Sequence, residues 1–128
     1  MKRKVFKVLV VDDNEPNLKV FRILLQSKGY EVIEALNGDE AVKYARLYHP
    51  DLILMDIRMP VMDGITATKI IKEDPVLKNI PVIALTSSAM SGSREQIMKE
   101  GGFEEFLTKP ISAASFLEEI KNYLNPDS

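Results

Sequence analysis

The chain has 128 residues, 45% of them hydrophobic and 28% charged, which suffices for one core of ordinary domain size. Its formal net charge is −2 with both signs interspersed, so no basic stripe recommends direct nucleic-acid binding. With no cysteine and one histidine, disulfides, thiolate catalysis and zinc sites built on Cys or His are excluded. Lys2-Arg3-Lys4 runs into Val5-Phe6-Lys7 rather than a long apolar stretch, so neither a signal peptide nor membrane insertion is expected. The expectation is one domain over residues 1–128, with its core over about 5–124, in the cytoplasm.

Val5 to Val11 is apolar and β-branched except at Lys7, and it ends on Asp12-Asp13-Asn14, a first strand closing on acid. Leu18, Phe21 and Leu25, flanked by Val20 and Leu24, recur at helical spacing; Pro16 suits a first turn, and Gly29 stops the helix. Tyr30, Val32 and Ile33 give a second strand. Asn37-Gly38-Asp39-Glu40 turns the chain into a helix carrying Ala41, Val42, Ala45 and Tyr48, closed by Pro50. Leu52-Ile53-Leu54-Met55 is an uninterrupted apolar run ending on Asp56, the pattern of a strand buried on both faces, and Pro60 with Gly64 marks the following loop. Asp63-Gly64 reads as turn chemistry with a left-handed glycine. Ile65, Ile70 and Ile71 predict a third helix ending before Pro75; Ile80 to Leu85 predicts a fourth strand ending on Thr86. A sparsely apolar helix is expected from about Ser93 to Glu100, then a last strand from Phe103 to Leu107. Phe116, Leu117, Ile120 and Leu124 stripe a final helix, and Asn125 to Ser128 is a frayed tail.

Five strands alternating with five helices argue a parallel sheet with helices on both faces, built from right-handed βαβ units. Strands of a parallel sheet all point one way, so the residues that follow strands one, three, four and five emerge at one edge: Asp12 and Asp13, Asp56, Thr86, and Lys109. Two carboxylates about 5 Å apart repel by roughly 3 kcal/mol at an effective dielectric near 20, so three need a cation. An all-oxygen set suits a hard divalent ion, and Mg²⁺ bridges readily to phosphate. A phosphoryl group held there would use an amine and a hydroxyl for its remaining oxygens, roles that Lys109 and Thr86 fit. Asp56 would be the nucleophile, since no Ser-His or Cys-His pair exists.

Four segments in order, Val8 to Asn14, Pro50 to Gly64, Pro81 to Thr86 and Phe106 to Pro110, closely resemble the receiver domains of two-component response regulators, here of the stand-alone type. The resemblance spans nearly the whole chain. It implies an α/β, flavodoxin-like (βα)5 three-layer sandwich with a parallel five-stranded sheet in the order 2-1-3-4-5. It further implies that Asp56 receives a phosphoryl group from a phosphohistidine on a sensor histidine kinase or histidine phosphotransfer protein. Asp13, Asp56 and the Arg58 backbone carbonyl would be direct Mg²⁺ ligands, with Asp12 acting mainly through water. By the same resemblance Thr86 is the switch hydroxyl, Phe106 its aromatic partner and Lys109 the phosphate-pairing lysine, with a cis bond between Lys109 and Pro110. Asn14, Glu15, Pro16, Leu18, Pro110 and Ile111 would form the docking region for the phosphoryl donor. Phe106 stands where many members carry Tyr or His, Gly101-Gly102 where Gly-Ala is common, and the small Ser87 leaves the site accessible. Because the chain ends after the final helix, the expected output is a non-covalent protein target.

Each feature has a plainer reading alone: Asp12-Asp13 as a helix cap, Thr86 as a cap, Lys109 as a solvated cation, Phe106 as core. Convergence on one edge decides for the site, except at Phe106, where core and switch are compatible. His49 before Pro50 reads as a surface residue at a helix end, and Met55, Met59, Met62 and Met90 as packing. A haloacid-dehalogenase-type phosphatase also uses a strand-end aspartate, but normally carries a second acid two residues later, where this chain has Arg58. A nucleotide- or flavin-binding module is disfavoured because Asp12 to Asn17 has no glycine and the wrong charge for a phosphate cradle. A pseudo-receiver that binds partners without phosphorylation is disfavoured by the intact acids, Thr86 and Lys109. The chain is thus read as a phosphoacceptor that acts on itself rather than as a turnover enzyme.

Overall fold

The computed structural model describes residues 5–56, 64–86, 102–108 and 112–124, without the side chains of Thr86, Phe106 and Thr108. The order is β1 (Lys7–Val11), α1 (Glu15–Ser27), β2 (Glu31–Ala35), α2 (Gly38–Tyr48), β3 (Leu52–Asp56), α3 (Gly64–Glu73), β4 (Val82–Thr86), β5 (Glu105–Thr108) and α4 (Ala113–Leu124). The five strands form one parallel sheet in the order β2-β1-β3-β4-β5, as the resemblance implies. The helix expected over Ser93 to Glu100, the Lys109-Pro110 bond and the tail lie outside the described residues.

Period-two alternation divides the strands between two cores. Leu9, Val11, Ile53, Met55, Val82 and Ala84 face α2 and α3, while Val8, Val10, Leu52, Leu54, Ile83 and Leu85 face α1 and α4. The α2–α3 layer meets the sheet with small residues, Ala41, Ala45 and Ala67, which let the helices approach closely. The α1–α4 layer uses large ones: Leu18, Phe21 and Leu25 face Phe116, Ile120 and Leu124, with the Phe21 and Phe116 rings 5.1 Å apart at 38°. No described helix is long and apolar enough to cross a membrane.

The helix boundaries follow local chemistry. Asn14 caps α1 by accepting the Asn17 N–H at 2.9 Å, and Asn37 caps α2 by accepting from Glu40 N–H at 2.8 Å. α1 stops in a Schellman arrangement, Tyr30 N–H to the Leu25 carbonyl and Gly29 N–H to that of Gln26, with Gly29 at φ +86°. α2 ends on an exposed His49 in the left-handed region at φ 49°.

α2 carries Ala41, Val42, Ala45 and Tyr48 as expected; it turns its Gly38–Ala41–Val42–Ala45 stripe to the sheet, which leaves Tyr48 42% exposed against Tyr44. Two expectations are corrected. Phe103 precedes the last strand rather than opening it. It is buried in the α2–α3 core, and pairing with β4 starts at Glu105, two residues on. Gly64 is not left-handed; it is the first residue of α3, and its role is close approach.

At the end of the sheet where the strands begin, carboxylates serve as fasteners. Asp51 accepts the Lys7 N–H at 2.8 Å and returns its own N–H to the Lys7 carbonyl, tying β3 to β1. Glu104 accepts the Val82 N–H at 2.7 Å on one oxygen and the Lys72 ammonium at 2.8 Å on the other. Lys72 also donates to the Ile80 carbonyl at 2.7 Å, so α3, β4 and the approach to β5 are clamped together.

Candidate functional site

At the opposite end the strands finish in register. Val11 lies beside Met55, Asp56 beside Leu85, and Thr86 beside Thr108, so Asp12 leaves β1 alongside Asp56 at the tip of β3. Alternation also sets their direction. Val10 and Leu54 face the α1 side while Val11 and Met55 face the other, so Asp12 and Asp56 both turn toward α1. The strand geometry therefore aims two acids at one spot.

Asp12 is fully buried, Asp56 is 7% exposed, and Asp13 is exposed. Carboxylate oxygens of all three lie within 4.8 Å of one another. Asp12 is held from two directions: the Asn14 N–H donates to Oδ1 at 3.0 Å and the Asn17 side-chain amide to Oδ2 at 3.3 Å. α1 begins here, so its positive dipole end lies beside the acids.

Packing under Asp56 is equally constrained. A Cβ on Gly64 would collide with the Asp56 carbonyl oxygen and lie 2.9 Å from the Met55 Cγ, so the start of α3 can press on the tip of β3 only as glycine. That contact fixes the backbone carrying Asp56.

Three carboxylates at this spacing, two of them buried, form a donor set of hard oxygens and negative charge. The set fits a divalent cation such as Mg²⁺, which would offset repulsion of roughly 3 kcal/mol per pair at an effective dielectric near 20.

Residues 8–121 match the family described as response regulator receiver domain. The chain belongs to the response regulator receiver family. Among relatives of this receiver, the polar-differentiation response regulator DivK of Brucella ovis is 50% identical over 117 residues, 91% of this chain and 94% of that protein. The chemotaxis protein CheY4 of Vibrio cholerae is 32% identical with a TM-score of 0.88, covering 94% of this chain and 100% of that one. The receiver domain of the sensor histidine kinase PA1611 of Pseudomonas aeruginosa PAO1 is 35% identical with a TM-score of 0.86, over 94% and 98%. It was crystallised with a magnesium ion coordinated in its active-site cleft. The receiver is thus a component of two-component signalling rather than a turnover enzyme, and its flavodoxin-like fold is shared with these structures.

Of the residues singled out from sequence, the structure brings together Asp12, Asp13 and Asp56 and puts the Thr86 backbone at the same end of the receiver's sheet. The Thr86 and Phe106 side chains, Arg58, Lys109, Pro110 and Ile111 lie outside the described residues. Sequence reasoning missed two contributors, Asn17 and Gly64. The signal for Asn17 was its place three residues after the cap Asn14, in the first turn of a helix that starts beside the acids. For Gly64, it was a glycine opening a helix directly after the loop that leaves Asp56.

Proposed function

We propose that the chain acts as a single receiver domain that takes up a phosphoryl group on Asp56 in a Mg²⁺-dependent reaction, and that Asp12, Asp13 and Asp56 with the Arg58 carbonyl hold the ion. The observation that carries the reading is the gathering of three carboxylate side chains within 4.8 Å at the tips of β1 and β3 in a member of this family. Bound Mg²⁺ would neutralise the acids and the phosphoryl oxygens and draw attacker and donor together. A carboxylate oxygen of Asp56 attacks phosphorus in line, an O–P bond forms, and the P–N bond of a phosphohistidine breaks. The imidazole departs with the electron pair and is protonated by solvent. Lys109 pairs with a phosphoryl oxygen and the Thr86 hydroxyl donates to another. Water later attacks the same phosphorus, releasing inorganic phosphate and restoring the carboxylate.

Signal output follows from differential contacts. The dianionic phosphoryl group draws Thr86 inward and opens space for Phe106, shifting the population toward a surface that a protein partner reads. The donor is a sensor histidine kinase or histidine phosphotransfer protein, and the setting is the cytoplasm. The direct test is incubation with acetyl phosphate and MgCl₂, followed by intact mass spectrometry of the parent and Asp56→Asn. The parent gains one phosphoryl mass only with Mg²⁺ and the variant gains none; an equal gain in the variant would sink the assignment.

A further inference from the structure

The hydrogen bonds around Asp12 carry a consequence for the cation site. Asp12 is buried, and both of its oxygens receive donors from the first turn of α1: the Asn14 N–H at 3.0 Å and the Asn17 amide at 3.3 Å. An ionised carboxylate only accepts, so the Asn17 side chain must present its NH₂ to Oδ2. Asn17 is itself fixed, because its backbone N–H donates to the Asn14 side chain at 2.9 Å. The result is a closed loop of three bonds, Asn14 to Asp12, Asn17 to Asp12, and Asn17 to Asn14, that sets which edge of the Asp12 carboxylate faces Asp13 and Asp56.

We propose that Asn17 is a positioning residue for the cation site: its side-chain amide orients Asp12 and thereby sets the affinity of the three-carboxylate cluster for Mg²⁺. The proposal rests on reading that cluster as a Mg²⁺ site. Without the amide, Asp12 loses the donor that holds its Oδ2 edge, so its carboxylate is less firmly oriented before an ion binds. Partners of this outer kind typically change metal affinity by about 10–100-fold. Asn17 touches neither the ion nor the phosphoryl group, and its effect falls on binding of the metal rather than on chemistry at Asp56.

The test is an MgCl₂ titration of the full, unphosphorylated chain followed by amide chemical shifts, in the parent, Asn17→Ala, Asn14→Ala and Asp13→Asn. Asn17→Ala is expected to raise the Kd for Mg²⁺ about ten-fold with the unfolding midpoint close to the parent's. Asn14→Ala removes the helix cap but leaves the Asn14 N–H on Asp12, so it separates loosening of α1 from loss of the amide donor. It is expected to weaken Mg²⁺ binding less than Asn17→Ala does, and equal weakening in the two would overturn the proposal. Asp13→Asn is expected to abolish saturable binding. If it does so while Asn17→Ala binds like the parent, the inference about Asn17 fails and the site stands. If Asp13→Asn also binds like the parent, the reading of the cluster fails and the inference with it.

Discussion

The two ends of the same sheet use the same side chains for opposite purposes. Where the strands begin, each carboxylate meets donors: Asp51 takes the Lys7 N–H, and Glu104 takes the Val82 N–H and the Lys72 ammonium. Where the strands finish, carboxylates also crowd one another: Asp12 takes donors from Asn14 and Asn17, yet oxygens of Asp12, Asp13 and Asp56 lie inside 4.8 Å. An acid paired with an N–H and an ammonium lowers the energy of the fold; an acid crowded by acids raises it until a cation arrives. The difference marks one end as fastening and the other as a site held ready.

Substitutions can break that contrast, and the largest effect is expected at Gly64. Gly64→Val puts a side chain into the Asp56 carbonyl and Met55, so a loss of about 3 kcal/mol in urea unfolding is expected, with Mg²⁺ binding lost as β3 shifts. At the fastening end, Glu104→Ala strands the Val82 N–H and takes the carboxylate from the Lys72 ammonium, which keeps the Ile80 carbonyl. A loss of about 2 kcal/mol is expected, with Mg²⁺ affinity unchanged by titration.

The sharpest contrast is one of sign. Asp13→Asn relieves repulsion, so in metal-free buffer it should stabilise by up to about 1 kcal/mol, whereas in excess MgCl₂ the parent should become the more stable of the two. Thermal melts with EDTA and with MgCl₂ read both halves, and a destabilised Asp13→Asn in EDTA would remove the distinction between the two ends.

The smallest effect concerns Glu119 on α4, whose carboxyl is pushed above the ordinary range by burial and then by the neighbouring Glu105. A raised folded-state value means the protonated form is favoured on folding, so this contribution is present at low pH and is lost as pH rises through the raised value. Glu119→Gln should therefore gain slightly over the parent at pH 7 and gain nothing near pH 3, read from urea midpoints at both.

Much of this was legible in the chain because the sheet is buried on both faces. Leu52 to Asp56 could be read to the residue, since an unbroken apolar run with one terminal acid has few other physical meanings. The site's acids followed from topology alone, as parallel strands collect their ends. Phe103 misled because apolar identity reports burial, and its burial comes from packing against the α2–α3 core before any ladder forms. Gly64 misled because a glycine after Asp reads as a turn, while its actual constraint is a tertiary contact with Asp56 that local sequence does not encode. Asn17 escaped for the same reason: its backbone role in the cap is local, but its side chain reaches back to Asp12 across the turn.

The central claim is that the end crowded with acids is a phosphoryl site whose nucleophile is Asp56. The chain would be loaded with acetyl phosphate and MgCl₂, reduced with borohydride, which converts an acyl phosphate to an alcohol, and digested for peptide sequencing by mass spectrometry. The account predicts homoserine at position 56 and unmodified aspartate at positions 12 and 13. Homoserine at position 12 or 13, or a phosphoryl group recovered on a serine or threonine, would contradict it.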